Sequence, residues 1–137
     1  MLKNGGLALV RKVNIVFCGG GTGGHYYPLM AIKQELDKKL KNKNIYEVFQ
    51  NIYDNKITFV SRGDNSGTYK KEVSLWKNLS LKINTRKDRW YLETGSGMGP
   101  SLNIAVNKNA ITLTDRATWI SFNNKKNHTV LVEGDKD

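Results

Sequence analysis

The chain has a single cysteine, Cys18, which excludes an internal disulfide and any site built from several cysteines. Histidine is almost as scarce. His25 and His128 stand far apart, and neither has a partner at the spacing a metal site needs. Only two prolines occur among 137 residues, and the 13 glycines are clustered, so no long low-complexity segment is present. No run of 18 apolar residues exists, which argues against a spanning helix. Acidic residues are also few, 12 against 22 lysines and arginines, for a net charge of +10. A basic surface admits nucleic acid, anionic lipid or a small anion as partner. The excess is evenly spread, however. Residues 1–56 hold nine basic and four acidic side chains, and residues 57–137 hold thirteen and eight. The stacking aromatics of an RNA-binding sheet are not apparent, and no nucleic acid is expected as partner.

No catalytic constellation can be read. There is no Ser-His-Asp set and no paired carboxylates, so no catalytic residue is assigned, no cofactor or metal is implied, and the chain is not expected to be an enzyme. Cys18, at a strand end, reads as a small buried hydrophobe.

What is present is an alternation of strands and helices. Val13-Asn14-Ile15-Val16-Phe17-Cys18 reads as a buried strand. A glycine loop, Gly19-Gly20-Gly21-Thr22-Gly23-Gly24-His25, follows it. Leu29, Ile32, Leu36 and Leu40 then fall at helical spacing. Ile45, Val48, Phe49 and Ile52 predict a second amphipathic helix ending at Asn55, and residues 57–60 a strand. The polar loop from Ser61 to Thr68 ends at a helix start, with Val73, Leu75, Trp76 and Leu79 on the apolar side. Residues 80–91 read as irregular and basic, and residues 94–100 as a second glycine-rich loop. A helix is expected around Leu102 and Val106, a strand over 110–114, a helix over 117–122 and a last strand over 129–133. This order predicts an α/β layered domain with a mainly parallel sheet.

Two segments carry family resemblances. The first is Gly-Gly-Gly-Thr-Gly-Gly-His followed by Pro28 and an apolar helical stripe. Residues 13–41 resemble the start of the peptidoglycan glycosyltransferase that adds N-acetylglucosamine to lipid I. The resemblance implies an acceptor-side role for Gly20, Gly21, Thr22, Gly23, Gly24 and His25. A sugar-nucleotide half is not seen in the sequence, and one motif without a donor site transfers no sugar.

The second is longer. Phe59-Val60-Ser61-Arg62-Gly63-Asp64-Asn65-Ser66-Gly67-Thr68 is followed by Lys71-Glu72 and Leu75-Trp76. Trp90-Tyr91, Gly95-Ser96-Gly97-Met98-Gly99 and Thr112-Leu113-Thr114-Asp115-Arg116 then come in order. From about residue 46 onward the chain resembles the tungstate-binding proteins of ABC importers. That implies one lobe of a type II periplasmic-binding-protein fold, with tungstate or molybdate as ligand and an ABC permease as partner. It also implies non-catalytic oxyanion binding and an extracytoplasmic location. No export signal can be read, so the chain as written is expected in the cytoplasm.

The division expected is a glycosyltransferase-like fragment over 1–44 and a substrate-binding-protein-like lobe over 45–137. A truncated, inactive glycosyltransferase and a basic nucleic-acid module are the alternatives.

The chemistry of an oxyanion site singles out four residues. A dianion stripped of water needs several directed donors. Ser66, Gly67 and Thr68 at a helix start present backbone N–H groups and hydroxyls, and Arg62 offers a charge-assisted bond. Three of the four have a structural alternative: Arg62 pairs with Asp64 or with a carboxylate elsewhere, and Ser66 and Thr68 cap the helix. Residues 97–99 are either a second anion-facing loop or a tight turn. Asp115 and Arg116 are expected to fix a βα turn.

Overall fold

The computed structural model describes residues 14–17, 29–31, 44–126, 128 and 131–132. Its nine elements run β1 (Asn14–Phe17), β2 (Leu29–Ala31), α1 (Ile45–Asn55), β3 (Phe59–Ser61) and α2 (Gly67–Asn78), then β4 (Tyr91–Glu93), α3 (Met98–Asn107), β5 (Ile111–Thr114) and α4 (Arg116–Ser121). One sheet joins all five strands in the order β2-β1-β5-β3-β4. The β1–β5, β5–β3 and β3–β4 pairs are parallel, and β1–β2 is antiparallel.

Helix α1 begins where its sequence asks it to. Asn44 accepts the Glu47 N–H at 2.9 Å, and Glu47 returns a bond to the Asn44 N–H at 3.0 Å, a reciprocal cap. Lys56 ends the helix in the left-handed region at φ 54°. Its apolar stripe, Ile45, Val48, Phe49 and Ile52, is buried as expected.

The strands sort their side chains by parity. Phe59, Tyr91, Ile111 and Leu113 join the cluster built with α1 and with Leu75 and Trp76 of α2. Val60 packs instead with Ala105 of α3 and Ala110. Helices therefore cover both faces, α1 and α2 on one and α3 on the other. This explains why β5 is buried at every position, as the middle strand of a parallel sheet requires. The main cluster is aromatic. The Phe49 ring lies 4.4 Å from that of Trp76 and 5.6 Å from that of Phe59, and Phe59 stacks on Tyr91 at 5.9 Å.

Several expectations are corrected. A helix was expected from Leu29, but Leu29–Ala31 is a strand paired with β1 through Ile15↔Met30. Short apolar runs fit either structure, and here a neighbouring strand edge decides. Residues 80–91 are not irregular throughout, because Tyr91 starts β4. The glycine-rich stretch at 97–100 is not a free-standing turn: Gly97 caps α3, and Met98, Gly99 and Pro100 form its first turn. Proline fits there because first-turn N–H groups have no partner within the helix. Leu131 and Val132 lie in a bend rather than a strand. The glycine run 19–25, with Cys18, lies outside the described residues. The sheet crosses the boundary expected at residue 44, since Val16 and Phe17 pair with Leu113 and Thr114.

Phe49→Ala should cost about 3–5 kcal/mol of stability, because Phe49 is fully buried between two aromatic rings. Ile120→Ser, on a side chain 66% exposed, should change stability by less than about 0.5 kcal/mol. Urea unfolding of both variants checks the contrast.

Candidate oxyanion site at the carboxyl edge of the sheet

In a parallel sheet the carboxyl ends of the strands and the amino ends of the following helices share one edge, where anions are favoured. Here β3, β4 and β5 lead directly into the N-termini of α2, α3 and α4. All four residues singled out in the sequence lie at that edge, in the β3–α2 connection and the first turn of α2.

The connection is built by its own polar groups. Asp64 accepts from the Ser66 N–H at 3.1 Å and the Ser66 hydroxyl at 2.6 Å. Ser66 Oγ accepts the Tyr69 N–H at 3.1 Å, so Ser66 caps α2. Burial pushes the Asp64 carboxyl up, but the bonds from Ser66 and Arg62 outweigh it and hold the group below its ordinary range. Arg62 places one guanidinium nitrogen, Nη2, 2.6 Å from Asp64. The ion pair foreseen as a structural alternative is thus formed, and so is the cap at Ser66, whereas Thr68 lies within the first turn of α2 and is not the capping residue. Arg62 Nε, however, is buried with no hydrogen-bond partner. A donor left unpaired inside a protein is costly unless something is meant to meet it.

The neighbouring loop is tied to this one. The Thr94 N–H donates to the Ser61 carbonyl at 2.9 Å and the Gly95 N–H to the Arg62 carbonyl at 2.7 Å. Gly63 is at φ +58°, and a Cβ there would approach Glu93 Cβ to 2.9 Å, so the two loops admit only glycine at this crossing. Gly97 caps α3 without a side-chain bond, and an added Cβ at Gly99 would meet nothing within 4 Å. The first turn of α3 is therefore open to close approach. Asp115 accepts the Thr118 N–H at 2.8 Å and caps α4.

Sequence reasoning passed over the group beneath these loops. Glu72 is 2% exposed and accepts three hydrogen bonds, from Ser61 Oγ at 2.7 Å, Trp76 Nε1 at 3.0 Å and Tyr91 OH at 2.5 Å. All three donors are neutral. Burial raises its pKa to about 7, against the pull of those bonds. Burial and the nearby Glu72 charge likewise push the Tyr91 phenol up. A signal was available: a glutamate at 72 sits one helical turn before Trp76, on the side the tryptophan buries. His128 is also buried, with Nδ1 2.8 Å from the Lys125 carbonyl, and burial lowers its pKa to about 4. Among the described residues no cluster of His, Cys, Asp and Glu fits a metal ion. No helix among them is long and apolar enough to cross a membrane.

A cavity of about 520 Å³ lies elsewhere, between α2 and residues 80–85, with Trp76 and Tyr91 in its wall. None of the four expected anion contacts lines it. The edge offers directed donors to an anion, whereas this hollow is mainly apolar.

An α/β domain with helix N-termini gathered at the carboxyl edge of a parallel sheet is the architecture of a ligand-binding lobe. The model of the PBP superfamily domain matches residues 15–137, and the chain belongs to that superfamily. Among curated relatives, the tungstate-binding protein TupA of Campylobacter jejuni is 43% identical over 111 residues, covering 78% of this chain and 40% of the relative. The solved tungstate-binding protein TupA of Desulfovibrio alaskensis superposes with a TM-score of 0.69 at 34% identity, over 82% of this chain and 46% of that one. A second, weaker likeness is to the N-acetylglucosamine transferase of Christiangramia forsetii, 31% identical over 119 residues, or 74% of this chain and 32% of the relative. The chain thus spans less than half the length of these relatives.

The buried carboxylate makes a stability prediction. Unfolded, Glu72 titrates near 4.5; folded, near 7. Between those values the folded state holds more protons, so stability falls as pH rises through the window. Glu72→Gln should remove that fall, worth on the order of 3 kcal/mol. Denaturant unfolding of wild type and variant from pH 4.5 to 8 should show the difference shifting toward the variant as pH rises.

Proposed function

We propose that this chain is the oxyanion-binding lobe of a substrate-binding component of an ABC importer, with tungstate or molybdate as ligand. It acts without catalysis, in an extracytoplasmic setting. The observation that carries the reading is Arg62. Its guanidinium sits at the carboxyl edge beside the N-terminus of α2, anchored by Asp64 through Nη2 and with a buried Nε unpartnered. A guanidinium held by one edge presents the rest of its fork to a ligand, and a tetrahedral dianion accepts from several directions at once. Ser66 holds the helix end in place, while Gly67 and Thr68 supply first-turn N–H groups. The likeness to tungstate-binding proteins supports the ligand class. A cytoplasmic location gains no support from these relatives, and the permease follows only from the kind of system they serve.

The glycosyltransferase reading is weaker. Its motif, residues 19–25, lies outside the described residues, and the likeness to that enzyme is lower in identity than the likeness to the tungstate-binding protein.

Titration calorimetry with tungstate tests the proposal. Arg62→Ala should weaken binding roughly tenfold to a hundredfold, the loss of one charge-assisted hydrogen bond set. Sulfate at equal concentration is the selectivity control. Binding unchanged by Arg62→Ala, or equal uptake of nucleic acid in a salt-sensitive manner with no oxyanion preference, would reject it.

A further inference from the structure

The four residues of the proposed site all lie on one connection, and that connection starts at Ser61. Ser61 is the last residue of β3 and is 1% exposed. Its hydroxyl makes two bonds of opposite sense. It donates to Glu72 Oε2 at 2.7 Å and accepts the Gly63 N–H at 3.1 Å. Arg62 lies between Ser61 and Gly63 in sequence, so its backbone is held from both sides. Gly63 itself cannot be replaced by a larger residue, because its φ is positive and an added Cβ would meet Glu93 Cβ at 2.9 Å.

An ionised carboxylate only accepts hydrogen bonds. Facing Glu72, the Ser61 hydroxyl therefore points its hydrogen inward and leaves its lone pairs for Gly63. Trp76 Nε1 and Tyr91 OH occupy the other carboxylate oxygen, Oε1. The group is thus fixed from α2 and β4 before it acts on β3.

We propose that Glu72 is a positioning residue for the oxyanion site: it sets the rotamer of Ser61 and, through Ser61 Oγ and the Gly63 N–H, the direction in which Arg62 leaves β3. This rests on the reading of residues 62–68 as the anion contact. Glu72 touches no ligand itself. Its isostere exposes the role. In Glu72→Gln the amide oxygen can still serve Trp76 and Tyr91, so the nitrogen faces Ser61. A donor then meets the hydroxyl, whose hydrogen must turn away, and the lone pairs are shared between the amide and Gly63. The core keeps its shape while the turn loses its hold.

The experiment is a double-mutant cycle on tungstate binding at pH 8, with wild type, Glu72→Gln, Ser61→Ala and the double variant. Circular dichroism first checks that each is folded at the titration temperature. Exchange of the Gly63 amide is followed in parallel without ligand. Each single variant should bind roughly tenfold more weakly, as expected for loss of one orienting bond. The double variant should be no weaker than the poorer single one, and Gly63 should exchange faster in all three. Equal or tighter binding by Glu72→Gln would overturn the proposal, since the buried charge would then merely repel the anion. Additive losses, or unchanged Gly63 exchange, would overturn it as well. If Glu72→Gln does not fold, Ser61→Ala decides through the same two measurements. If wild type takes up no tungstate, the oxyanion reading falls separately, and Gly63 exchange alone decides the positioning role.

Discussion

A carboxylate buried away from the surface ties β3, α2 and β4 of this molecule together. Glu72 lies on α2, yet its three donors come from β3, α2 and β4. Removing such a group from water without partners would cost several kcal/mol. The arrangement survives because three donors are turned toward it. That requirement fixes Ser61 at a strand end, the indole of Trp76 and the phenol of Tyr91. Through these it fixes the packing of the aromatic cluster, in which Trp76 meets Phe49 and Tyr91 stacks on Phe59. The polar network and the apolar core are therefore one construction. A change in either is felt at the edge where β3 ends.

That edge has a different economy. In the proposed reading, an oxyanion arriving there would trade a full hydration shell for protein donors, an exchange that is favourable only if the donors are already aimed. Helix N-termini supply such donors because their first N–H groups have no partner within the helix. At α2 the cap residue is itself capped, by Asp64, so the turn is preformed rather than moulded by a ligand. Arg62 shows the same logic. Asp64 takes one nitrogen of the guanidinium and so removes much of the rotamer entropy that an arginine would otherwise lose on binding. The carboxylate nearest the site thus organises the cation instead of simply cancelling it.

How much of this could be read beforehand depends on whether the determinant is local. Helix α1 was legible because the apolar spacing of Ile45, Val48, Phe49 and Ile52 is a local signal. Ser66 was legible as a cap for the same reason, and the Arg62–Asp64 pair because only one residue separates them. What escaped depends on distant partners. Strand β4 is three residues long, and only its pairing with β3, Phe59 opposite Tyr91, makes it a strand. Leu29–Ala31 was taken for helix because its periodicity is ambiguous and its partner β1 decides. Glu72 escaped because a charged residue in a helix reads as surface. Only the meeting of α2, β3 and β4 shows that it is buried.

Strand β5 gives the last constraint, and it concerns how the two halves of the sequence relate. Ile111, Thr112, Leu113 and Thr114 are all buried. A strand buried on both faces must also be paired on both edges, or a row of backbone N–H and C=O groups is left without partners in an apolar setting. One edge is covered by β3, through Phe59↔Ile111 and Val60↔Thr112. The other is covered by β1, through Val16↔Leu113 and Phe17↔Thr114. Strand β1, Asn14–Phe17, therefore supplies a neighbour that β5 needs, whatever family the glycines that follow it in sequence resemble. The motifs suggest a division of this chain near residue 44, but the superfamily match runs across it, from residue 15 to residue 137. The hydrogen-bonding demand of its most buried strand draws the two parts into one sheet.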